Sequence, residues 1–161
     1  MIVIVMGVAG AGKTTIGQRL AHALGWEFRD ADDLHPAQNR DKMRHGIALT
    51  DADRRPWLAT VRGLIENYLE CGGCAVIACS ALKQSYRDLL VVDPAKVKLV
   101  YLHGSKDLIA QRLAERHGHF FGPDLLRSQF EALEEPRQAI AEDIGRDPAA
   151  IVDSIRAKLG L

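Results

Sequence analysis

The chain has 161 residues, 47% of them apolar and 26% charged, and its 21 basic and 21 acidic side chains cancel. That is one soluble globular domain's worth of sequence, long enough to bury a core. It carries no basic excess or stripe of the kind a nucleic-acid binder shows, and no apolar run of bilayer length.

The first element predicted is a strand at Ile2–Met6, a continuous apolar run of the kind buried on both faces of a sheet. The run is too short for a signal-peptide core and no basic residue precedes it, since the first cation is Lys13. The expectation is therefore a cytoplasmic protein. From Lys13 a helix follows, with Ile16, Leu20 and Leu24 on one face and Gly25 ending it. Trp26–Arg29 reads as a short second strand.

The polar stretch from Asp30 to Thr50 offers helical pieces and no strong strand. Thr50 and Asp53 have capping-box spacing, Pro56 fits a first helical turn, and Trp57, Val61, Leu64 and Tyr68 mark one apolar helical face. Ala75–Cys79 and Val97–Leu102 are predicted as the third and fourth strands. Ser105 caps a helix packed through Leu108, Ile109 and Leu113. A break over His117–Pro123 leads to a helix marked by Leu126, Phe130 and Leu133 and ended near Pro136. Ala139–Ile144 reads as a weaker fifth strand interrupted by Glu142, and Ile151, Ile155 and Leu159 mark the closing helix.

Strands separated by helical crossovers imply a parallel sheet covered on both faces. The expected fold class is α/β, a three-layer sandwich with a five-stranded parallel sheet, and the string GVAGAGKT at 7–14, which follows its first strand, makes it P-loop NTPase-type. It forms one domain over 1–161.

Cys71 and Cys74 form a C-x-x-C pair around Gly72-Gly73. Redox pairs of this kind use a strand that runs into a helix, whose N-terminus lowers the thiol pKa. Here a helix runs into a strand, and no fourth ligand for zinc is adjacent, so the pair is read as turn chemistry.

The string MGVAGAGKTTI supplies the first functional reading. Gly7-x4-Gly12-Lys13-Thr14 fits the P-loop pattern, for which a chance match in this length is roughly one in a few hundred. It also follows a buried strand and opens a helix, as the mechanism requires. Glycine-permitted backbone turns successive N–H groups toward one anion, and the helix N-terminus adds unpaired donors and a positive dipole end. Gly7, Val8, Ala9, Gly10, Ala11, Gly12, Lys13, Thr14 and Thr15 are thus the predicted nucleotide cradle. Lys13 should follow phosphate charge as it develops, and Thr14 should offer its hydroxyl to Mg²⁺. No N-K-x-D base-reading motif of a GTP switch is present, and the chain is too short for a motor or transporter ATPase. Phosphoryl transfer to a small molecule fits best.

Ligands of open α/β sheets lie beyond the carboxyl ends of the strands. Directly after the second strand stands RDADDLHP, where Asp30 and Asp32 alternate. One carboxylate can serve Mg²⁺ and the other an acceptor hydroxyl, while Asp33 is read as a helix cap. The third strand ends AVIACSALK, without the carboxylate many P-loop proteins place there, so Asp30 is the nearest candidate for the metal side.

With those residues in view, the strings DADDLHP, LTDADRRPWL, CSALKQSYRDLL, HGHFF and QFEALEEP resemble the gluconokinases of the shikimate-kinase-like P-loop group. The resemblance runs from the P-loop to about Pro136. It implies ATP-dependent phosphorylation of D-gluconate at the 6-hydroxyl, a homodimer, an acceptor segment at about 30–60 and a lid at about 116–124. It implies that Asp32 binds and activates the hydroxyl, that Asp30 holds a Mg²⁺-bound water, and that His35 and Arg54 line the sugar-acid pocket. Arg54 suits a carboxylate because a guanidinium binds it in a fork. Lys83 and Arg87 add positive potential or form a solvated helix face. Arg116 stands at the lid as an arginine finger, His119 as a substrate or lid contact, and Arg112 and Pro148 flank adenine. The rival readings are a shikimate or nucleoside monophosphate kinase, or a nucleotide-binding module without an acceptor. Shikimate kinases carry a glycine triplet where this chain has Cys79-Ser80-Ala81.

Overall fold

The computed structural model describes residues 1–115 and 123–161. In chain order these form β1 (Ile2–Met6), α1 (Lys13–Leu24), β2 (Glu27–Asp30), a 3-10 turn (Ala31–Leu34), α2 (Ala37–Arg44), α3 (Asp51–Glu70) and β3 (Ala75–Ala78). They continue with α4 (Gln84–Leu90), β4 (Val97–His103), α5 (Lys106–Ala114), α6 (Pro123–Ala132), β5 (Ile140–Asp143) and α7 (Pro148–Leu159). The described strands make one sheet in the order β2-β3-β1-β4-β5, with every pairing parallel.

The side-chain alternation of β1 divides the core between two faces. Ile2, Ile4 and Met6 pack with Trp57, Leu58, Val61 and Ile65 of α3 and with Tyr86 and Leu90 of α4. Val3 and Val5 pack with Ile16 and Leu20 of α1, Ile109 of α5, and Ile151 and Ile155 of α7. All five β1 side chains are fully buried, each worth about 1.5–3 kcal/mol for a large apolar group. The crossovers leave the carboxyl ends of β1, β2 and β3 side by side, and the loops that follow them build the site.

Local signals explain most boundaries. Gly25 ends α1 in the left-handed conformation. Thr50 and Asp53 form the reciprocal capping box, and Lys42 adds hydrogen bonds of 2.8 and 3.0 Å to Asp53. Those contacts, Lys42 foremost, hold the Asp53 carboxyl down at about 2. Ser105 caps α5 through the Leu108 amide, and Cys71 and Cys74 are free thiols flanking the turn into β3.

Several expectations need correction. Pro56 is the sixth residue of α3, beyond the first turn. The helix tolerates it because Ala52, whose carbonyl loses its intrahelical donor, is exposed to water. Asp33 lies inside the 3-10 turn, and the cap is Asp30, whose carboxylate accepts from the Asp32 amide at 3.1 Å. The polar interruption of β5 is no weakness: Glu142 is 1% exposed and accepts from Arg146 (2.8 Å), Ser154 (2.7 Å) and Lys158 (2.7 Å). A buried carboxylate matched this fully is an anchor joining β5 to α7.

Candidate active site

The cradle begins where β1 ends. Gly7 has φ 149°, and a Cβ there would stand 2.7 Å from the Leu102 carbonyl. Gly10 has φ 82° and meets Leu113 and Ile109 of α5 just as closely, so both positions exclude a side chain on conformation and on space. Gly12, at φ 88°, is the N-cap of α1 without any side-chain cap. The Thr14 and Thr15 amides in the first helical turn therefore have no intrahelical acceptor and face outward with the dipole. Lys13 Nζ donates to the Val8 carbonyl at 3.1 Å.

The acidic strand tip meets this loop directly. Thr14 Oγ1 donates to Asp30 Oδ2 at 2.9 Å, bringing the expected metal-side pair together. Asp32 follows, its side chain 64% exposed. The surrounding protein nevertheless raises its carboxyl above the usual range, opposed by the charge of Lys13 and helped by Asp30 and Asp33. It is an accessible carboxylate two residues beyond the cap Asp30. Behind it Cys79 is fully buried, and burial pushes its thiol up to about 12, so it takes no part as a thiolate.

Among the described residues no three His, Cys, Asp or Glu side chains converge as a metal cage. Thr14 and Asp30 instead fit an ion that keeps most of its ligands from phosphate and water, the usual habit of Mg²⁺.

The residues expected to line the acceptor pocket are held by α3. Trp57 Nε1 donates to the Ala31 carbonyl at 2.7 Å, and its ring stacks on His35 with centroids 4.2 Å apart. His35 is buried, and desolvation, with Arg54 and Arg40 nearby, lowers its pKa to about 4. It is neutral at pH 7. Asn39 Nδ2 lies 3.3 Å from His35 Nδ1 and donates to the Asp53 carbonyl at 2.8 Å. With Nδ1 as acceptor, the proton sits on Nε2, 3.9 Å from Asp32 Oδ1.

Arg54 donates to the Leu49 carbonyl at 2.6 Å and stands 4.0 Å from Asp51. Lys83 is matched by Asp51, with both carboxylate oxygens at 2.8 Å, and Tyr86 also donates to Asp51. Arg87 is neither on a solvated face nor turned to a ligand: it is 2% exposed and donates to Ala81 O (3.0 Å), Leu82 O (2.9 Å) and Gln84 Oε1 (2.9 Å). It thereby secures a turn in which Ala81 takes φ 42°, a conformation that favours glycine.

On the other side of the loop, Arg112 and Pro148 line a cleft of about 300 Å³ with Gly10, Gly12, Thr15 and Ile151. Arg112 is fixed there by the Ile144 carbonyl at 2.7 Å, and Pro148 is also the first residue of α7. A larger open groove of about 1020 Å³, lined by Val97, Leu99, Pro136 and Ile140, lies at the amino ends of β4 and β5, away from the cradle. Arg116, His119 and most of the expected lid fall in 116–122, outside the described residues.

Sequence reasoning assigned no part to Asn39, Asp51, Tyr86 or Gln129, although each stands in or beside a quoted string. Their spacing carries no periodic signal, because each acts across elements distant in the chain. Gln129 of α6 accepts from the Ala9 amide at 2.7 Å.

The shikimate kinase family model matches residues 9–154. The thermosensitive gluconokinase of Escherichia coli K12 is 42% identical, over 95% of this chain and 84% of that one. A gluconokinase from Sinorhizobium meliloti 1021 superposes with a TM-score of 0.87 at 43% identity, over 98% of this chain and 90% of that one. A shikimate kinase from Aquifex aeolicus shares the fold alone, at a TM-score of 0.60 and 17% identity over 99% of this chain and 96% of that one. The high identity lies with the gluconokinases, and the chain belongs to them, within the shikimate kinase family of P-loop kinases.

Proposed function

We propose that this chain transfers the γ-phosphoryl group of ATP to the 6-hydroxyl of D-gluconate, giving 6-phospho-D-gluconate. The observation that carries the reading is the 2.9 Å hydrogen bond from Thr14 to Asp30, which sets the acidic strand tip against the phosphate loop.

Catalysis of this transfer rests on positioning and charge stabilisation. The loop amides and Lys13 hold the phosphates, and Arg112 and Pro148 take adenine in the adjoining cleft. Asp32 orients the acceptor hydroxyl and takes its proton, a role helped by a carboxyl raised above its ordinary range. Neutral His35 presents an Nε2–H beside Asp32 and fixes a substrate hydroxyl rather than the carboxylate. Arg54, bordered by Lys83, receives the sugar-acid carboxylate within the 30–60 acceptor segment. Arg116 and His119 keep the lid roles that the resemblance implies. Thr14 and Asp30 would hold Mg²⁺, which supplies neutralisation of phosphate charge. A homodimer, supported by resemblance alone, and a cytoplasmic setting, supported by the short apolar run at the N-terminus, belong to the same reading.

A coupled ADP-release assay across gluconate, shikimate and nucleoside monophosphates tests the proposal. Gluconate alone should stimulate ADP release. A stronger response to another acceptor would reassign the pocket, and ATP binding with no stimulation by any acceptor would leave a nucleotide-binding module.

A further inference from the structure

The peptide between Val8 and Ala9 is gripped at both poles. Its carbonyl accepts from Lys13 Nζ at 3.1 Å and from the Ala11 amide at 3.2 Å. Its N–H donates to Gln129 Oε1 at 2.7 Å, from a residue 120 positions away on α6. No described peptide bond is cis, so the two groups point in opposite directions from one rigid plane. The orientation of that plane therefore decides where the Val8 carbonyl stands, and with it one of the acceptors that hold the Lys13 ammonium. The backbone N–H can only donate, which fixes the oxygen side of the Gln129 carboxamide against Ala9.

From this we infer that Gln129 is a positioning residue for phosphoryl transfer, acting on Lys13 through the Val8–Ala9 peptide. The plane turns about ψ of Val8 and φ of Ala9, and within the loop the Ala11 amide restrains it at the carbonyl pole, at 3.2 Å. Gln129 supplies the constraint at the N–H pole, from a helix packed on the core through Phe130. A hydrogen bond received at the N–H pole also polarises the carbonyl toward the ammonium at the other. Gln129 is half-buried, and its role is separate from adenine binding, since neither it nor Ala9 lines the 300 Å³ cleft.

The inference rests on the kinase reading, and steady-state kinetics of the full chain with ATP and gluconate separates the two. Gln129→Met keeps length and bulk but loses the oxygen. It should lower kcat about tenfold, the effect of losing one neutral hydrogen bond felt in the reacting state. The ATP KM should stay within about threefold and Tm within about 2 °C. Gln129→Glu keeps an oxygen for Ala9. It should hold kcat within about threefold of wild type at saturating ATP, while its charge raises the ATP KM. Gln129→Met turning over at the wild-type rate, or Gln129→Glu losing as much kcat as Gln129→Met, overturns the inference. The Ala9 amide in the wild-type chain gives a reading independent of any variant's folding: hydrogen exchange should show it protected, and an unprotected Ala9 amide contradicts the latch. A wild-type chain idle with gluconate would instead refute the acceptor assignment and leave that amide reading intact.

Discussion

On the proposed reading, the phosphate side is made largely of backbone, whereas the acceptor side is made of side chains. Residues 7–15 build the phosphate side from a tight backbone turn, two sterically obligatory glycines and the uncapped first turn of α1. The proposed acceptor wall takes Asp32 and His35 from the 3-10 turn and its end, Arg54 and Trp57 from α3, and Lys83 and Tyr86 from α4 and its edge, next to the metal-side Asp30 of β2. A backbone device is written mostly in local sequence, with Gln129 of α6 reaching in to hold the Ala9 amide. A side-chain device needs each supporting element in register, so it is where one member of the family can differ from another in substrate.

Substitutions test that division. The largest effect is expected at Lys13, the one cradle side chain with a charge to move. Lys13→Met should cut kcat at least about a thousandfold, with Tm unchanged. Near-normal turnover would mean that backbone amides alone suffice. Asp32→Asn should lower kcat by roughly a hundredfold or more while leaving the ATP KM within about threefold. A matching loss of ATP affinity would show that the two sides are not separable. Arg54→Ala should raise the gluconate KM about 10- to 100-fold, the scale of a charge-assisted hydrogen bond, with little change for ATP. An unchanged gluconate KM would move the carboxylate elsewhere.

The smallest effect concerns stability. His35 has a folded pKa of about 4 against an ordinary 6.5, so between those values the unfolded chain binds the extra proton. Stability then rises with pH through this window and is lost as pH falls from about 6.5 toward 4, by at most about 3 kcal/mol. Urea titrations of wild type and His35→Gln should differ in this slope, the variant being flatter. Parallel slopes would mean that His35 is solvated and free to carry charge.

The same contrast explains what could be read from sequence. β1, α1 and the whole cradle were legible because hydrophobic runs, helix period and glycine spacing are all local. Asp30 and Asp32 were legible because alternation at a strand end is local too. The solvated-face alternative for Arg87 fails because its position after β3 says nothing of the carbonyls of Ala81 and Leu82 that it serves inside the protein. Glu142 looked like a flaw in β5 until α7 supplied Lys158 and Ser154 and the following turn supplied Arg146. Gln129 stood in a recognised string without a role, since its partner Ala9 lies 120 residues earlier.

The central claim is that one sugar acid bridges the two sides with its 6-hydroxyl toward the metal and its carboxylate toward Arg54. Relaxation of ¹³C-labelled gluconate by Mn²⁺, bound with a non-hydrolysable ATP analogue, measures this directly through its steep dependence on distance. The account predicts strong enhancement at C6 and weaker enhancement at C1. Equal enhancement along the chain, a stronger effect at C1, or none at all would contradict it.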